Sequence, residues 1–566
     1  MLFEKLADIK AIASFIPQNR LTIQDLVDSY HSMSTLNYKV ALRQLKRAVS
    51  RFRGKTLRSV RWVYSQRLQL IEKVVPGPNE DALTAGTQSL IYAIRRAGIK
   101  PNQIDALFVV SESYPYAVKS STAIAGKAGL TDLKYGVRGE FACKPFGEFL
   151  DIGAALIDSG RCRYVAVTAT DASQGAPGDD LEFSASFYST SIILGKEKGI
   201  AKIVGRTSIN YDFSDFIRKE GEEFPEHEGQ GTSLAFRGMI LSTLKKHIER
   251  YPEMNAECLP GKTWVIHSPN GSFPNEALLD IGNYFGVTLA EKMFDKDGNI
   301  LGIEPRVKVS NLAPIIANGY SATVPTALCA AMETAKRGEE ILAVLYGSGA
   351  GSDVFSIKLK ANGSQVANNA VPTVQEQIDY KQQISVEDYF RFRDTPDQVA
   401  KHIALLDVNP LSKEYYQVEG CPECGAVYFG DSWTKSNFPD FSPPEKFSEL
   451  EGRCLRGIQK AAGDAKRICG TKLKTVKIPK RARIKEVHFF APSKKSSGHP
   501  ENPYWVMFDQ KWVRGFNYNP KICNFAEGEE VKAVIGRWRP APKDWVPILY
   551  VPMLTQLRSD YTQGTY

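Results

Sequence analysis

The sequence predicts a layered α/β fold up to about residue 360, followed by a small all-β module, and three observations carry that expectation. From about residue 80 to 360, short β-rich runs alternate with helical stretches, as when strands are covered by helices. After residue 360 a polar stretch interrupts that rhythm. From about residue 475 onward, short runs rich in Val, Phe and Trp are separated by turns, as in a small barrel.

In chain order, QIDALFVVSES (103–113), RCRYVAVTATD (161–171), TWVIHSP (263–269) and EEILAVLYGSG (339–349) read as buried strands. EDALTAGTQSLIYAIRRAG (80–98), FGEFLDIGAALIDSG (146–160) and YSATVPTALCAAMETAKRG (320–338) carry helical spacing of their apolar residues. Each strand ends at a polar residue in a turn, which gathers side chains at the carboxyl ends of the strands. ANGSQVANNAVPTVQ (361–375) is a polar linker and DYKQQISVEDYFRFRD (379–394) a short helical segment. A loop-rich stretch with a Cys-Pro-Glu-Cys knuckle occupies 412 to about 475. TVKIPKRARIKEVHFFAP (475–492), PYWVMFDQ (503–510) and GEEVKAVIGRW (528–538) are the barrel strands.

Apolar residues at 43% and charged residues at 24% suit a globular protein, and no run of about 18 uncharged apolar residues predicts a membrane span. The N-terminus, MLFEKLADIKAIASFIP, lacks the basic-then-apolar layout of a signal peptide. Nine cysteines, an odd number that includes the knuckle, fit a reducing compartment, so a cytoplasmic location is expected. The net charge of +9 is unevenly spread: residues 39–67 hold ten Lys or Arg and no acid. Such a segment suits a nucleic acid, a membrane surface or a phosphorylated ligand, and equally a solvated helix face or an arm against another subunit.

Five stretches carry side chains suited to chemistry. Cys143 follows a short apolar run, with Pro145 in the first turn and Gly160 at the end of a helix, which puts the thiol at a helix N-terminus, where thiolate is favoured. Glu112 lies between serines just past a strand and near Tyr114 and Tyr116; partial desolvation there raises a carboxyl pKa and suits acid or base work. His267 stands where an apolar strand breaks into Pro-Asn-Gly, and could shuttle a proton near pH 7. Asn318 precedes a helix and has two uses, donating its amide to a carbonyl oxygen or capping the helix. Ser348 and Gly349 lie in LYGSGAGSD (345–353), a Gly-rich turn that lets backbone approach a ligand.

Taken in order, Glu-Ser-Tyr-Pro-Tyr-Ala-Val (112–118), Phe-Ala-Cys-Lys (141–144), Pro-Gly-Asp (177–179), Leu-Glu-Phe-Ser (181–184), His-x-Pro-Asn-Gly-x-Phe-Pro (267–274), Asn-x-Tyr-Ser (318–321) and Gly-Ser-Gly-Ala-Gly-Ser-Asp (347–353) resemble hydroxymethylglutaryl-CoA synthase of the archaeal type. The resemblance is strong over about 80–360 and weaker over 1–38. It implies a thiolase-type, duplicated five-layer core made of residues 1–196 and 197–360, as a homodimer. It implies that Cys143 takes the acetyl group of acetyl-CoA, that Glu112 removes a methyl proton, and that His267 protonates the oxygen formed on a ketoacyl-CoA, acetoacetyl-CoA in that family. Asn318, Ser184, Ser348 and Gly349 then contact substrate. A sibling reaction on another 3-ketoacyl-CoA, or a non-catalytic scaffold for a thiolase, are the alternatives.

Three departures stand out. Phe187 and Tyr188 replace small residues and would narrow a pocket that they faced; Ser272 and Glu276 stand where the family has cations associated with CoA; and the basic segment 39–67 is an insertion whose arginines could replace that charge. Past a linker and short helix (361–411), the C-terminal portion resembles acyl-CoA-associated zinc-ribbon (412–475) and OB-fold (476–566) proteins of the DUF35 type, which bridge synthases and an acetoacetyl-CoA thiolase. That resemblance, with the Cys-x-x-Cys spacing, implies structural zinc on Cys421 and Cys424, with Cys454 and Cys469 as the remaining ligands. The barrel tryptophans read as core, so nucleic-acid binding is not expected.

Overall fold

The computed structural model describes residues 7–35, 55–77, 80–113, 120–173, 175–196, 199–213, 215–218, 224–227 and 229–393, and beyond these short β segments between 415 and 556. The chain divides into two units. The first is Met1–Pro76, Asp81–Ile124 and Leu130–Phe390, and the second holds Gly77–Glu80, Ala125–Gly129 and Arg391–Tyr566.

In the first unit nine strands share one mixed sheet: β1 (Asp8–Phe15), β2 (Ala106–Val110), β3 (Tyr135–Gly139), β4 (Tyr164–Ala172), β5 (Phe187–Gly195), β6 (Ala201–Phe213), β7 (Thr263–Ile266), β8 (Glu340–Gly347) and β9 (Gly349–Leu359). Their spatial order is β7-β8-β9-β6-β1-β5-β4-β2-β3. The join between β1 and β6 rests on only two residue pairs, Asp8 with Lys202 and Ile9 with Ala201, so the sheet is two sheets meeting at a corner. The halves repeat one pattern. In one, β1–β5 and β5–β4 pair antiparallel and β4–β2 parallel; in the other, β6–β9 and β9–β8 pair antiparallel and β8–β7 parallel. The duplication expected from the resemblance is thus written in the ladder directions.

Strand alternation assigns the layers. Thr168 and Thr170 of β4 face the helix Ala82–Ala97: the Thr170 hydroxyl bonds the Ala82 carbonyl, and Thr168 meets Ser191, which bonds Ser89 of that helix. Val165 and Val167 point the other way, into a core that also holds Phe146, Leu150 and Ala154 of the helix Pro145–Asp158, Val324 and Leu328 of the helix Thr323–Thr334, and Ile341, Leu345 and Phe355 of the second sheet. Those two helices therefore lie between the sheets. Leu342, Val344 and Tyr346 face away from them, against Phe236, Ile240 and Leu244 of the helix Gly229–Arg250. The result is helix, sheet, helix, sheet, helix. Each buried Phe or Leu contributes about 1.5–3 kcal/mol through removal from water.

The helix boundaries follow local chemistry. Asp81 and Thr84 form a reciprocal capping box at the start of Ala82–Ala97, and Gly98 ends it at φ 63. The basic segment is described from Lys55 onward: Val60 and Tyr64 are buried, Arg58 and Arg67 face solvent, and Arg61 donates through Nε to Asp28 at 2.9 Å. Among the described residues no helix is long and apolar enough to cross a membrane.

The second unit contributes strands, in antiparallel ladders such as Tyr415–Gly420 with Lys474–Pro479, Pro503–Phe508 with Lys511–Phe516, and Glu530–Trp538 with Leu549–Gln556. Cys421, Cys424, Cys454 and Cys469 lie outside the described residues. Among the described residues no cluster of His, Cys, Asp or Glu could hold a metal ion.

Candidate active site

Cys143 sits in a tight turn before the inner helix Pro145–Asp158: the Lys144 amide donates to the Phe141 carbonyl at 3.1 Å, and Ala142 adopts φ 43. Lys144 is the N-cap residue, so the thiol lies one position before the cap. Glu112 follows β2, and its carboxyl lies close enough to the Cys143 thiol for each to shift the other's protonation. Residues 31 apart in the chain thus meet because β2 runs to the edge of the cleft that the inner helix enters.

The thiolate expected from the helix N-terminus is not the resting form. Burial, together with the charges of Glu112, Asp171 and Asp215, pushes the Cys143 thiol well above its ordinary pKa, and this outweighs the helix dipole. Burial also lifts the Glu112 carboxyl well above the usual carboxylate range, with the charge of Asp171 adding to it. The raised base is as expected, although Tyr114 and Tyr116 lie outside the described residues and the aromatic group near Glu112 is Tyr320.

His267 follows β7, and its amide donates to the Val344 carbonyl at 2.9 Å. The Phe141–Lys144 turn touches Gly347, three residues further along the same strand: a Cβ on Gly347 would stand 2.7 Å from the Phe141 carbonyl oxygen. At about 3.3 Å per residue, the two attachment points are about 10 Å apart along β8. Phe236 packs beside the histidine, 6.5 Å from the imidazole, and against Tyr346, with ring centroids 5.2 Å apart. The histidine is only 1% exposed, and burial alone pushes its pKa down to about 3. It is therefore neutral at pH 7, which corrects the expectation of an imidazole titrating there. A neutral imidazole still carries one N–H to donate.

Asn318 is not the cap of the helix that follows it, whose N-cap position is Ala322 and takes no side-chain bond. Its Oδ1 accepts from the Tyr320 amide at 2.9 Å and the Thr323 hydroxyl at 2.7 Å, which fixes the turn ahead of the inner helix Thr323–Thr334 and points the Nδ2 end the other way. Its backbone is clipped to the segment after Ser184: the Asn318 amide donates to the Ser184 carbonyl and the Ser186 amide to the Asn318 carbonyl, both at 2.8 Å. The Ser184 hydroxyl bonds back to the carbonyl of Asp180 at 3.2 Å. Phe187 and Tyr188 are 0% and 1% exposed and do not face open space. The Tyr188 hydroxyl donates to the Ala317 carbonyl at 2.9 Å and accepts from the Gly319 amide at 2.8 Å, holding a turn in which Ala317 and Tyr320 have φ of 53 and 52.

Two carboxylates escaped the sequence reading. Asp171, the last residue of RCRYVAVTATD, is buried and accepts six hydrogen bonds: from the Ser111 hydroxyl, the Glu112 amide and the amide and hydroxyl of Ser113 on Oδ1, and from the amide and hydroxyl of Ser321 on Oδ2. It ties the loop bearing the base to the turn bearing Asn318. Asp215 accepts from the Gly349 amide at 2.8 Å and the Tyr346 hydroxyl at 3.1 Å, fixing the Gly-rich turn at φ 104, and Ser348 bonds the same tyrosine. The available signal was a polar residue at the carboxyl end of a strand, which is common to many loop acids.

Replacing Asp171 by Asn turns an amide N–H toward donors and removes a charge beside Glu112. The expected outcome is a loss of about 2–4 kcal/mol in unfolding free energy. Because the charge of Asp171 raises the Glu112 pKa, its removal moves the acid limb of the pH–rate profile to lower pH. An unmoved limb would contradict the electrostatic role.

Two buried polar atoms beside the thiol, Glu112 Oε1 and Tyr320 Oη, have no protein partner, and neither has His267 Nδ1. Buried polar groups are ordinarily satisfied, so the unsatisfied carboxyl oxygen and phenol beside Cys143 mark a place suited to a polar ligand. Where the family places cations, the Ser272 hydroxyl bonds Asn270 Oδ1 at 3.0 Å and Glu276 Oε1 at 3.3 Å. Burial raises the Glu276 pKa while the charges of Arg237 and, less strongly, Arg67 of the basic segment oppose it.

No family model matches the chain. Curated relatives do: it is 34% identical over 328 residues to a hydroxymethylglutaryl-CoA synthase of Thermoplasma acidophilum, covering 58% of this chain and 87% of that protein. It is 36% identical over 326 residues to that of Methanococcus vannielii, covering 57% and 87%. Among solved structures, an HMG-CoA synthase complexed with CoA matches with a TM-score of 0.53 at 17% identity, over 68% of this chain and 90% of that one. A synthase in complex with 3-hydroxy-3-methylglutaryl coenzyme A matches at 0.55 and 17%, over 71% and 96%. At those identities the structures speak for the fold, and the curated relatives speak for the family. Over its N-terminal part this chain belongs to the hydroxymethylglutaryl-CoA synthase family, whose members are condensing acyltransferases.

Proposed function

We propose that the chain joins an acetyl unit, held as a thioester on Cys143, to the ketone of acetoacetyl-CoA, giving 3-hydroxy-3-methylglutaryl-CoA and free CoA. The observation that carries this reading is the burial of the Glu112 carboxyl beside the Cys143 thiol, with Glu112 Oε1 left without a protein partner. Family membership supports it, because the curated relatives carry that activity in their names. In the first step the Cys143 sulfur attacks the acetyl carbonyl, CoA leaves, and the thiol proton ends on the CoA sulfur. In the second, Glu112 takes a methyl proton from the acetyl thioester and the carbon attacks C3 of the ketone. His267 passes its N–H proton to the new alkoxide and is reprotonated at the expense of the proton that Glu112 took, so both return to their starting forms, and Nδ2 of Asn318 donates to oxygen. Water then cleaves the thioester and restores the thiol. Holding both acyl groups together contributes effective molarities of about 10⁵ M or more, and each oxyanion donor about 10²- to 10³-fold.

Acetoacetyl-CoA is favoured as the second substrate because Phe187 and Tyr188, which suggested a narrower pocket, are packed inside. A panel of 3-ketoacyl-CoAs tests this: the sibling reading gains if labelled enzyme forms but acetoacetyl-CoA is not consumed, and the scaffold reading if no label appears. Arg67 supplies cationic charge for CoA where Ser272 and Glu276 do not. Arg67→Ala is expected to raise KM for acetyl-CoA about three- to tenfold and to flatten its salt dependence, with kcat little changed; an unchanged KM at low salt contradicts it.

The same reading includes a homodimer through β3, the last strand of the sheet, whose free edge exposes Val137 at 42%. It also includes structural zinc on the Cys-x-x-Cys of 421–424, supported by spacing, and an acetoacetyl-CoA thiolase as partner, supported by the C-terminal resemblance. Sedimentation, metal analysis and co-purification are the respective measurements.

A further inference from the structure

The mechanism uses the thiol but not the residue beside it. Lys144 is fully buried, although lysine is among the residues most rarely found inside. Its ammonium lies 2.6 Å from Glu148 Oε1, 3.5 Å from Oδ2 of the equally buried Asp353, and 5.1 Å from the Phe141 ring centroid. The side chain runs beneath the Gly-rich hairpin between β8 and β9: a Cβ on Gly347 would stand 2.6 Å from Lys144 Cβ, and one on Gly351 2.6 Å from Lys144 Cδ. The hairpin is thus carved to admit this lysine. Two residues earlier, Ala142 occupies φ 43, a left-handed conformation that non-glycine residues hold only where the surroundings enforce it.

A buried ion pair is a poor way to gain stability, since an apolar pair of similar volume does as well or better. It does fix position. We infer that Lys144 is a positioning residue: by anchoring to Asp353 on β9 and Glu148 one helical turn away, it clamps the Phe141–Lys144 turn against the Gly-rich hairpin and keeps Ala142 in its strained conformation. The Cys143 sulfur is thereby held against Glu112. This inference rests on the acyl-enzyme reading, and it assigns the acetylation rate, not the affinity for acetyl-CoA, to the clamp.

The test compares wild type, Lys144→Met, the double variant Lys144→Met/Asp353→Asn, which removes the buried carboxylate that would otherwise keep only Arg206 at 3.9 Å as a cationic partner, and that double variant with Ala142→Gly added. Acetylation of Cys143 is followed by rapid quench with labelled acetyl-CoA, and folding by thermal unfolding. Lys144→Met is expected to slow acetylation about 30-fold, with KM for acetyl-CoA within twofold, a loss of the size that small misplacements produce. The double variant regains the lost thermal stability but not the rate. Adding glycine at 142, which accepts positive φ without strain, restores at least about tenfold. If stability and rate recover together in the double variant, or if glycine restores nothing, the clamp is wrong. If wild type itself carries no label on Cys143, it is the acyl-enzyme reading that fails.

Discussion

Cys143→Ala leaves a folded chain that takes up no label from acetyl-CoA, and it lowers condensation by at least about 10⁴-fold, because losing the nucleophile removes the covalent route altogether. No other described cysteine can substitute. Cys162 and Cys329 are buried, and Cys258 sits in the Ala256–Gly261 turn with its sulfur toward the Glu253 carbonyl. The state of the thiol gives a second readout. Its pKa is raised, so at pH 7 only a small fraction is thiolate, and that fraction grows about tenfold per pH unit below the pKa. Alkylation by iodoacetamide in the absence of acetyl-CoA should therefore be slower than for free cysteine at pH 7 and should climb steadily as pH rises. Fast alkylation that is flat with pH would mean a resting thiolate and would overturn the assignment of the proton. Thermal stability should be preserved, since the substitution removes a buried group from beside carboxylates.

The thiol shows where sequence reading stops. Its placement before an inner helix was legible, because Pro145 and the apolar spacing through Ile157 announce the helix and the strand before it ends in a turn. Its protonation was not, since that depends on Asp171 at the end of a strand and Asp215 in a bend, 28 and 72 residues further along the chain, and on the loss of water around all of them. His267 failed for the same reason. A histidine at a strand end looks solvated until the folded chain buries it beside Phe236, and then it is neutral at physiological pH.

The fold itself was read more completely than the site. Alternating strand and helix patterns set every sheet strand that was named, because a buried strand and an amphipathic helix leave local periodicities. The ladder between β1 and β6, which brings the halves together, leaves none: it spans two residue pairs between segments almost 200 residues apart. The same holds for the Tyr188 hydroxyl. It looked like an obstruction in a pocket and proves to be a support, because only the folded chain shows that the Ala317–Gly319 turn lies over it.

Glu112→Gln separates the two halves of the reaction. Glutamine keeps the shape of the side chain and its contact with the Cys143 sulfur but cannot take a proton, so acetyl transfer persists while carbon–carbon bond formation falls by about 10²- to 10⁴-fold, the range a general base contributes. Acetyl-enzyme should accumulate on quenching. Exchange of the acetyl methyl hydrogens with deuterated solvent, which needs the same base, should vanish alongside. The pH profile gives the sign of the effect. Burial and the charge of Asp171 raise the Glu112 pKa, so in wild type the condensation rate falls with decreasing pH through a limb lying above the ordinary carboxyl value of 4.5, and in Glu112→Gln that limb is lost. Desolvation thus has a purpose here: a carboxylate lifted toward neutrality is a stronger base for a carbon acid than one left in water, while the unsatisfied Oε1 keeps a lone pair free for the substrate. If the glutamine variant condensed within tenfold of wild type, or if it kept the exchange, the base would have to be another group, and the meeting of thiol and carboxyl would be structural alone.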